Sequence, residues 1–179
     1  MWSNIILLGL ATLQRLAEFV IAKRNTKKLL AKGGFAVGPP AHIAMIVLHV
    51  IWLAGLWYLA WNLTFDWNWI FAYIALEAAR GWIVAALGSQ WTTRIIVVPG
   101  EKFEDEKPFN TFREPNYIII AAELFILPMA YGLWWYGAAF AAVYVALVYW
   151  RWTGENKGLA SLREPPHMTS PNVDLPPEA

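Results

Sequence analysis

The chain has 179 residues, 58% of them hydrophobic and 15% charged, and a formal net charge of +1. So large an apolar share makes the lipid bilayer the expected solvent, and the near-zero balance supplies no basic field for nucleic acid. Without a single cysteine the chain can form neither disulfides, thiolate nucleophiles nor cysteine-ligated zinc.

The first run, MWSNIILLGLATLQRLAEFV, has no basic residue before Arg15 and no small-residue cleavage site, so it reads as a retained helix and not as a secretory signal. Apolar runs able to cross about 30 Å of hydrocarbon lie at Trp2 to Ala22, Ile43 to Trp61 and Trp69 to Gly88. The next, Tyr117 to Trp150, would measure about 51 Å as a single helix, so it is expected to fold back near Pro128 and Gly132. The predicted fold class is an all-α integral membrane protein with about five transmembrane helices, the last two forming a helical hairpin. Residues 1–162 are expected to form the membrane domain, with a polar loop and the C-terminal half over 89–162. Residues 163–179, with five prolines and no apolar period, form a tail expected to be disordered.

Basic residues test this topology. Lys23, Arg24, Lys27, Lys28 and Lys32 follow the first helix, Arg94, Lys102, Lys107 and Arg113 the third, and Arg151, Lys157 and Arg163 the fifth. The opposite connections, Asn62 to Asn68 and Ala130 to Gly132, hold neither Lys nor Arg, while Trp57, Trp61, Trp67 and Trp69 mark that interface. The positive-inside bias therefore places the N-terminus outside and the C-terminus in the cytoplasm.

Five ionisable residues lie within the predicted spans, where charge is costly and faces a bundle interior or a wet cavity. Arg15 and Glu18, like Glu77 and Arg80, are three apart and able to neutralise each other locally, whereas Glu123 has no partner within its own turn. These charges either tie helices together or line a site. His42 and His49, seven apart, are too distant along a helix to share a metal, so no metal site is expected.

Two polar features remain at the cytoplasmic boundary. The first is Arg151 and Glu155, four apart beyond the predicted fifth helix. They form either a surface ion pair or a fork that binds a substrate carboxylate or phenolate while the glutamate orients it. The second is PGEKFEDEKPFNTFREPNY, Pro99 to Tyr117, the longest polar stretch between spans. There Pro115 suits a first helical position, and the amides before Tyr117 favour an anionic group. It is either a solvated connection or a binding loop, and no GxGxxG accompanies it.

The run QWTTRIIVVPGEKFEDEKPFNTFREPNY, from Gln90, followed by RWTGENKGL from Arg151, resembles the isoprenylcysteine carboxyl methyltransferase family. QRLAEFVIAKRNTKKLLAKGG and the later His42 and His49 resemble its bacterial branch, so the likeness covers nearly all residues before the tail. It implies a helical membrane enzyme that binds S-adenosylmethionine at its cytoplasmic C-terminal half and methylates a lipophilic or prenylated substrate arriving from the bilayer. By the same resemblance, cofactor contacts fall on Arg94, Glu101, Lys102, Phe103, Glu104 and Phe109, and an Arg-His-Pro-x-Tyr type motif falls on Arg113, Glu114, Pro115, Asn116 and Tyr117. The family's Arg and Glu at the reacting group fall on Arg151 and Glu155, the implied catalytic pair.

Glu114 stands where the motif has histidine, and Lys107, Pro108, Phe109 and Asn110 replace a Gly-Pro-Tyr-Arg type segment. A carboxylate there can pair with the ammonium or sulfonium of the cofactor but repels its carboxylate. The resemblance implies an O-methyltransferase whose acceptor is either a prenylated cysteine carboxylate or the hydroxyl of a long-chain pyrone or phenol. The alternative is a non-catalytic membrane binding or assembly protein that keeps the fold. A channel or transporter fits less well, since the charges gather at one face.

Overall fold

A computed structural model describes residues 2–37, 41–93, 95–97 and 115–163, with side chains at all of these except 37, 95, 97, 115 and 154–163. Its elements are five helices, α1 (Trp2–Ala31), α2 (Ala41–Ala60), α3 (Trp67–Leu87), α4 (Pro115–Ala130) and α5 (Trp134–Arg163), and two short strands, β1 (Phe35–Val37) and β2 (Ile95–Val97). Helices α1, α2 and α3, the last with the 3-10 turn Gly88–Gln90, are long and apolar enough to cross a membrane, and Asn116–Ala130 is a shorter apolar helix. The described chain is thus all-α apart from one two-stranded ribbon.

Two helices outrun their apolar stretches. The first was expected to end at Ala22 but continues to Ala31, because Lys, Arg, Leu and Ala all sustain a helix and no glycine or proline intervenes. It stops at Gly33, whose φ of 87° is the left-handed value a helix end uses, with the Gly34 amide donating to Leu29 O at 3.1 Å. Lys23, Arg24, Lys27 and Lys28 therefore lie on a helix and not in a loop. Likewise α5 passes Trp150 and Gly154 and reaches Arg163, so Arg151 sits inside a helix and not beyond one.

Pro128 does not break the chain as expected. It lies within α4, and the reversal comes at Tyr131–Leu133, where Gly132 has a φ of 73°. Proline has no N–H for the carbonyl four residues earlier. That carbonyl, Leu124 O, instead accepts from the Trp52 indole of α2 at 3.2 Å. The carbonyl of Pro128 takes the amides of Tyr131 and Leu133, each at 3.0 Å.

The bundle is apolar outside, and its largely apolar interior also encloses charge. Ile6, Leu10, Val47, Val50, Phe71, Ile74 and Val145 face outward, whereas Arg80 and Glu123 are buried. Leu8, Trp52, Leu56, Leu124, Leu127 and Tyr144 form the centre of the apolar packing. α4 packs closely against α3 and α5, and α5 against α2, while α1 approaches its neighbours more loosely. At Gly137 of α5 the backbone passes so near Phe125 of α4 that a Cβ would lie 2.8 Å from Phe125 O. At one end of the bundle Asn4 donates to Ala60 O at 3.0 Å and to Leu63 O at 2.6 Å. There too Asp66 caps α3 by accepting from Asn68 N at 2.8 Å.

Candidate functional site

The other end of the bundle is assembled from segments far apart in sequence. β1 and β2 pair antiparallel, with Phe35 opposite Val97 and Val37 opposite Ile95, so the chain leaving α1 lies beside the chain leaving α3. Asn25 of α1 reinforces the junction by donating to Gly88 O and Trp91 O, both at 2.9 Å. Gly88 O also takes the Trp91 amide at 3.2 Å, so the Asn25 side chain adds to the bond that closes the 3-10 turn and ties that turn to α1.

α4 starts at this same end. Pro115 opens it, as proline can where the first N–H is not needed, and Asn116 and Tyr117 follow in the first turn. Across from them on α5, the Arg151 guanidinium carbon lies 5.4 Å from the centroid of the Tyr117 ring, within cation–π range. Arg151 is buried, and its Nη1 donates to Thr93 O at 3.2 Å, joining α5 to the segment between the 3-10 turn and β2. The side-chain oxygen of Asn116 is also buried and has no hydrogen-bond partner among the described residues. A buried acceptor without a donor points to a group that arrives from elsewhere.

The structure thus brings together Tyr117 and Arg151, with Asn116 next to Tyr117 in the first turn of α4. Pro115 and Glu155 occupy helix positions, Glu155 about 6 Å along α5 from Arg151, but their side chains lie outside the described residues. Arg94, Glu101, Lys102, Phe103, Glu104, Phe109, Arg113 and Glu114 also lie outside them. Thr93, whose carbonyl positions Arg151, gave no signal in the sequence, because a backbone acceptor carries no residue preference.

A second polar group occupies the bundle interior. Glu123 of α4 accepts from Arg15 of α1 at 2.5 Å and from Arg80 of α3 at 2.6 Å, all through Oε2. Arg80 also pairs with Glu18 of α1, Arg15 lies 3.4 Å from Glu18 and 3.6 Å from Glu77, and Gln14 donates to Glu77. Of the two expected local pairs, Arg15 with Glu18 is present, whereas Glu77 and Arg80 do not pair with each other. Glu77 lies by Arg15, and Arg80 meets Glu18 and Glu123, so the charges form one network across three helices. Its signal in the sequence was Glu123, the carboxylate without a neighbour to neutralise it. His49 of α2 makes no ion pair with the network; its Nδ1 lies 2.7 Å from Met45 O and its ring is edge-on to Tyr144.

Comparison with known proteins bears on the first of these two groups. An uncharacterized protein, YpbQ of Bacillus subtilis strain 168, is 27% identical over 161 residues, covering 86% of this chain and 95% of its own. No solved structure matches the chain. The model of the isoprenylcysteine carboxyl methyltransferase family matches residues 69–161, a segment that contains Asn116, Tyr117, Arg151 and Glu155. With more than half of its length matched, and with the membrane-length helices that such enzymes use, the chain belongs to the isoprenylcysteine carboxyl methyltransferase family.

Proposed function

We propose that this protein is a membrane S-adenosylmethionine-dependent O-methyltransferase that acts on a carboxylate or hydroxyl of a lipophilic substrate. The observation that carries the reading is the contact between Tyr117 and Arg151, which joins the proposed cofactor motif on α4 to the proposed acceptor residue on α5. In this reading all five helices are membrane-embedded, α4 and α5 form a returning pair, and the Arg151 end faces the cytoplasm of a bacterial cell, where S-adenosylmethionine is made.

The residues present fit such a cofactor. The orphaned Asn116 oxygen supplies an acceptor for an ammonium group, and the α4 N-terminus favours a carboxylate. Arg94, Glu101, Lys102, Phe103, Glu104, Phe109 and Glu114 complete the proposed binding set. When bound, S-adenosylmethionine supplies a methyl carbon activated by its positive sulfur. The protein then has to align an acceptor oxygen with that carbon and exclude water. Arg151 is held on one side by Tyr117 and Thr93, which fixes its planar fork toward an anionic oxygen. Glu155, one turn further on α5, orients the fork and, for a hydroxyl acceptor, takes the proton.

The test is methyl transfer. Protein in lipid nanodiscs is supplied with S-adenosylmethionine carrying a labelled methyl group and with a bacterial lipid extract. Label recovered in an extractable lipid, and lost in Arg151→Ala and Glu155→Gln variants that still bind the cofactor by calorimetry, supports the enzyme. Absence of cofactor binding by the wild-type protein supports a binding or assembly subunit instead, the reading that Glu114 in the histidine position keeps in play.

A further inference from the structure

The network inside the bundle is unbalanced. Among the described residues it contains the guanidiniums of Arg15 and Arg80 but the carboxylates of Glu18, Glu77 and Glu123, one negative charge in excess. All five lie on helices read as membrane-embedded, where an uncompensated charge is costly. The excess is unequally placed. Glu123 is fully buried and bridged by both arginines, and Glu18 also meets both. Glu77 has an arginine only at 3.6 Å, and its other oxygen takes the amide of Gln14.

We propose that Glu77 is a membrane-embedded proton-binding site whose carboxyl carries the proton that neutralises the cluster. Two orphaned atoms support the placement. Among the described residues Glu77 Oε1 is buried without a hydrogen-bond partner, and so is the hydroxyl of Tyr73, one helical turn earlier on the same face of α3. Glu123 Oε1 is unpartnered too, but both guanidiniums hold the other oxygen of that carboxylate. A carboxyl proton on Glu77 Oε1 shared with the Tyr73 oxygen satisfies both of those atoms. An ionised Glu77 accepting from Tyr73 would satisfy the same atoms but leave the charge in place.

Other carriers of the balancing charge fit less well. Among the described residues no three metal-ligating side chains converge, so a metal ion has no cage. His49 of α2 is the remaining basic group facing the cluster. Its Nδ1 lies 2.7 Å from Met45 O, and its Nε2 is buried with no hydrogen-bond partner among the described residues, so a proton added there meets no acceptor. Glu18 and Glu123 each meet both guanidiniums, so their negative charges are the ones the two arginines balance directly, whereas Glu77 has a guanidinium only at 3.6 Å. The α5 group near His49 is the Tyr144 ring, which brings no formal charge. The cluster is one of the ties between α1 and the helices α3 and α4, and removing the proton sets a bare carboxylate between them.

The proposal is independent of methyl transfer and is tested on the full chain in neutral-lipid nanodiscs by infrared spectroscopy and thermal unfolding. At neutral pH the wild type should show a protonated-carboxyl stretch that disappears in Glu77→Gln and persists in Glu18→Gln. Raising the pH should lower the wild-type Tm, because deprotonation adds an unbalanced charge only in the folded bundle, and leave that of Glu77→Gln level. Glu77→Gln, a neutral mimic of the protonated acid, should fold with a near-normal Tm. The proposal is overturned if the band survives in Glu77→Gln, if that variant does not fold, if the wild-type Tm ignores pH, or if His49→Gln is what removes the pH dependence.

Discussion

The Arg151 guanidinium of α5 stands over the ring of Tyr117 in the first turn of α4, 5.4 Å from its centroid, while its Nη1 reaches back to Thr93 O. One side chain thereby ties together the start of one helix, the middle of another and the segment leading into β2.

From this geometry the effect of conservative changes follows. Arg151→Lys keeps the charge but loses the planar stack and the fork, and should lower kcat/KM by about 2 kcal/mol or more, roughly thirtyfold at least. Tyr117→Phe keeps the ring face and should retain most activity, while Tyr117→Ala should not. Methyl-transfer kinetics on the three variants, with calorimetry to follow cofactor binding, distinguish a positioned fork from a simple positive charge. Equal activity of Arg151→Lys and the wild type would count against the fork.

The interior network makes a different prediction. Arg80→Met fills a similar volume but leaves Glu18 and Glu123 with one arginine fewer in a buried setting. Breaking one side of a buried ion pair typically costs about 3–5 kcal/mol. The variant should lose that order of stability in detergent unfolding, whereas an outward change such as Val50→Leu should lose almost none.

How far these sites were legible in the sequence depended on where their information lies. Helix positions follow from apolar runs, so α2 and α3 fell within about two residues of expectation. The ends of α1 and α5 did not, because charged helix formers prolong a helix beyond the hydrocarbon without any apolar signal. Arg151 and Tyr117 were picked out by resemblance, but their contact depends on how α4 and α5 pack. The joining of Glu123 to both arginines likewise needs three helices in place, although an isolated carboxylate in an apolar run already called for partners.

Glycine positions separate close packing from open space. Gly137→Leu should destabilise by about 1–3 kcal/mol, since its Cβ would meet the Phe125 backbone, which cannot swing away as a flexible side chain would. Gly9→Ala on α1 meets nothing within 4 Å and should stabilise by up to about 1 kcal/mol through helix propensity. Paired Tm measurements in one detergent check the opposite signs.

The Trp52 indole and Pro128 form a compensating pair, so their substitutions should not be additive. Trp52→Phe removes the donor to Leu124 O and leaves a fully buried carbonyl without its partner, at a cost of about 1–3 kcal/mol beyond the change in packing. Pro128→Ala restores the amide that would bond the same carbonyl along α4, so with Trp52 present the two donors compete for one acceptor. In the double variant the backbone N–H restored at position 128 takes the place of the indole. The Trp52→Phe penalty should therefore shrink by about 1 kcal/mol in the Pro128→Ala background. A double-mutant cycle by thermal or denaturant unfolding measures this coupling. Strict additivity would mean that the indole bond is incidental and that α4 tolerates Pro128 through some other adjustment of its backbone.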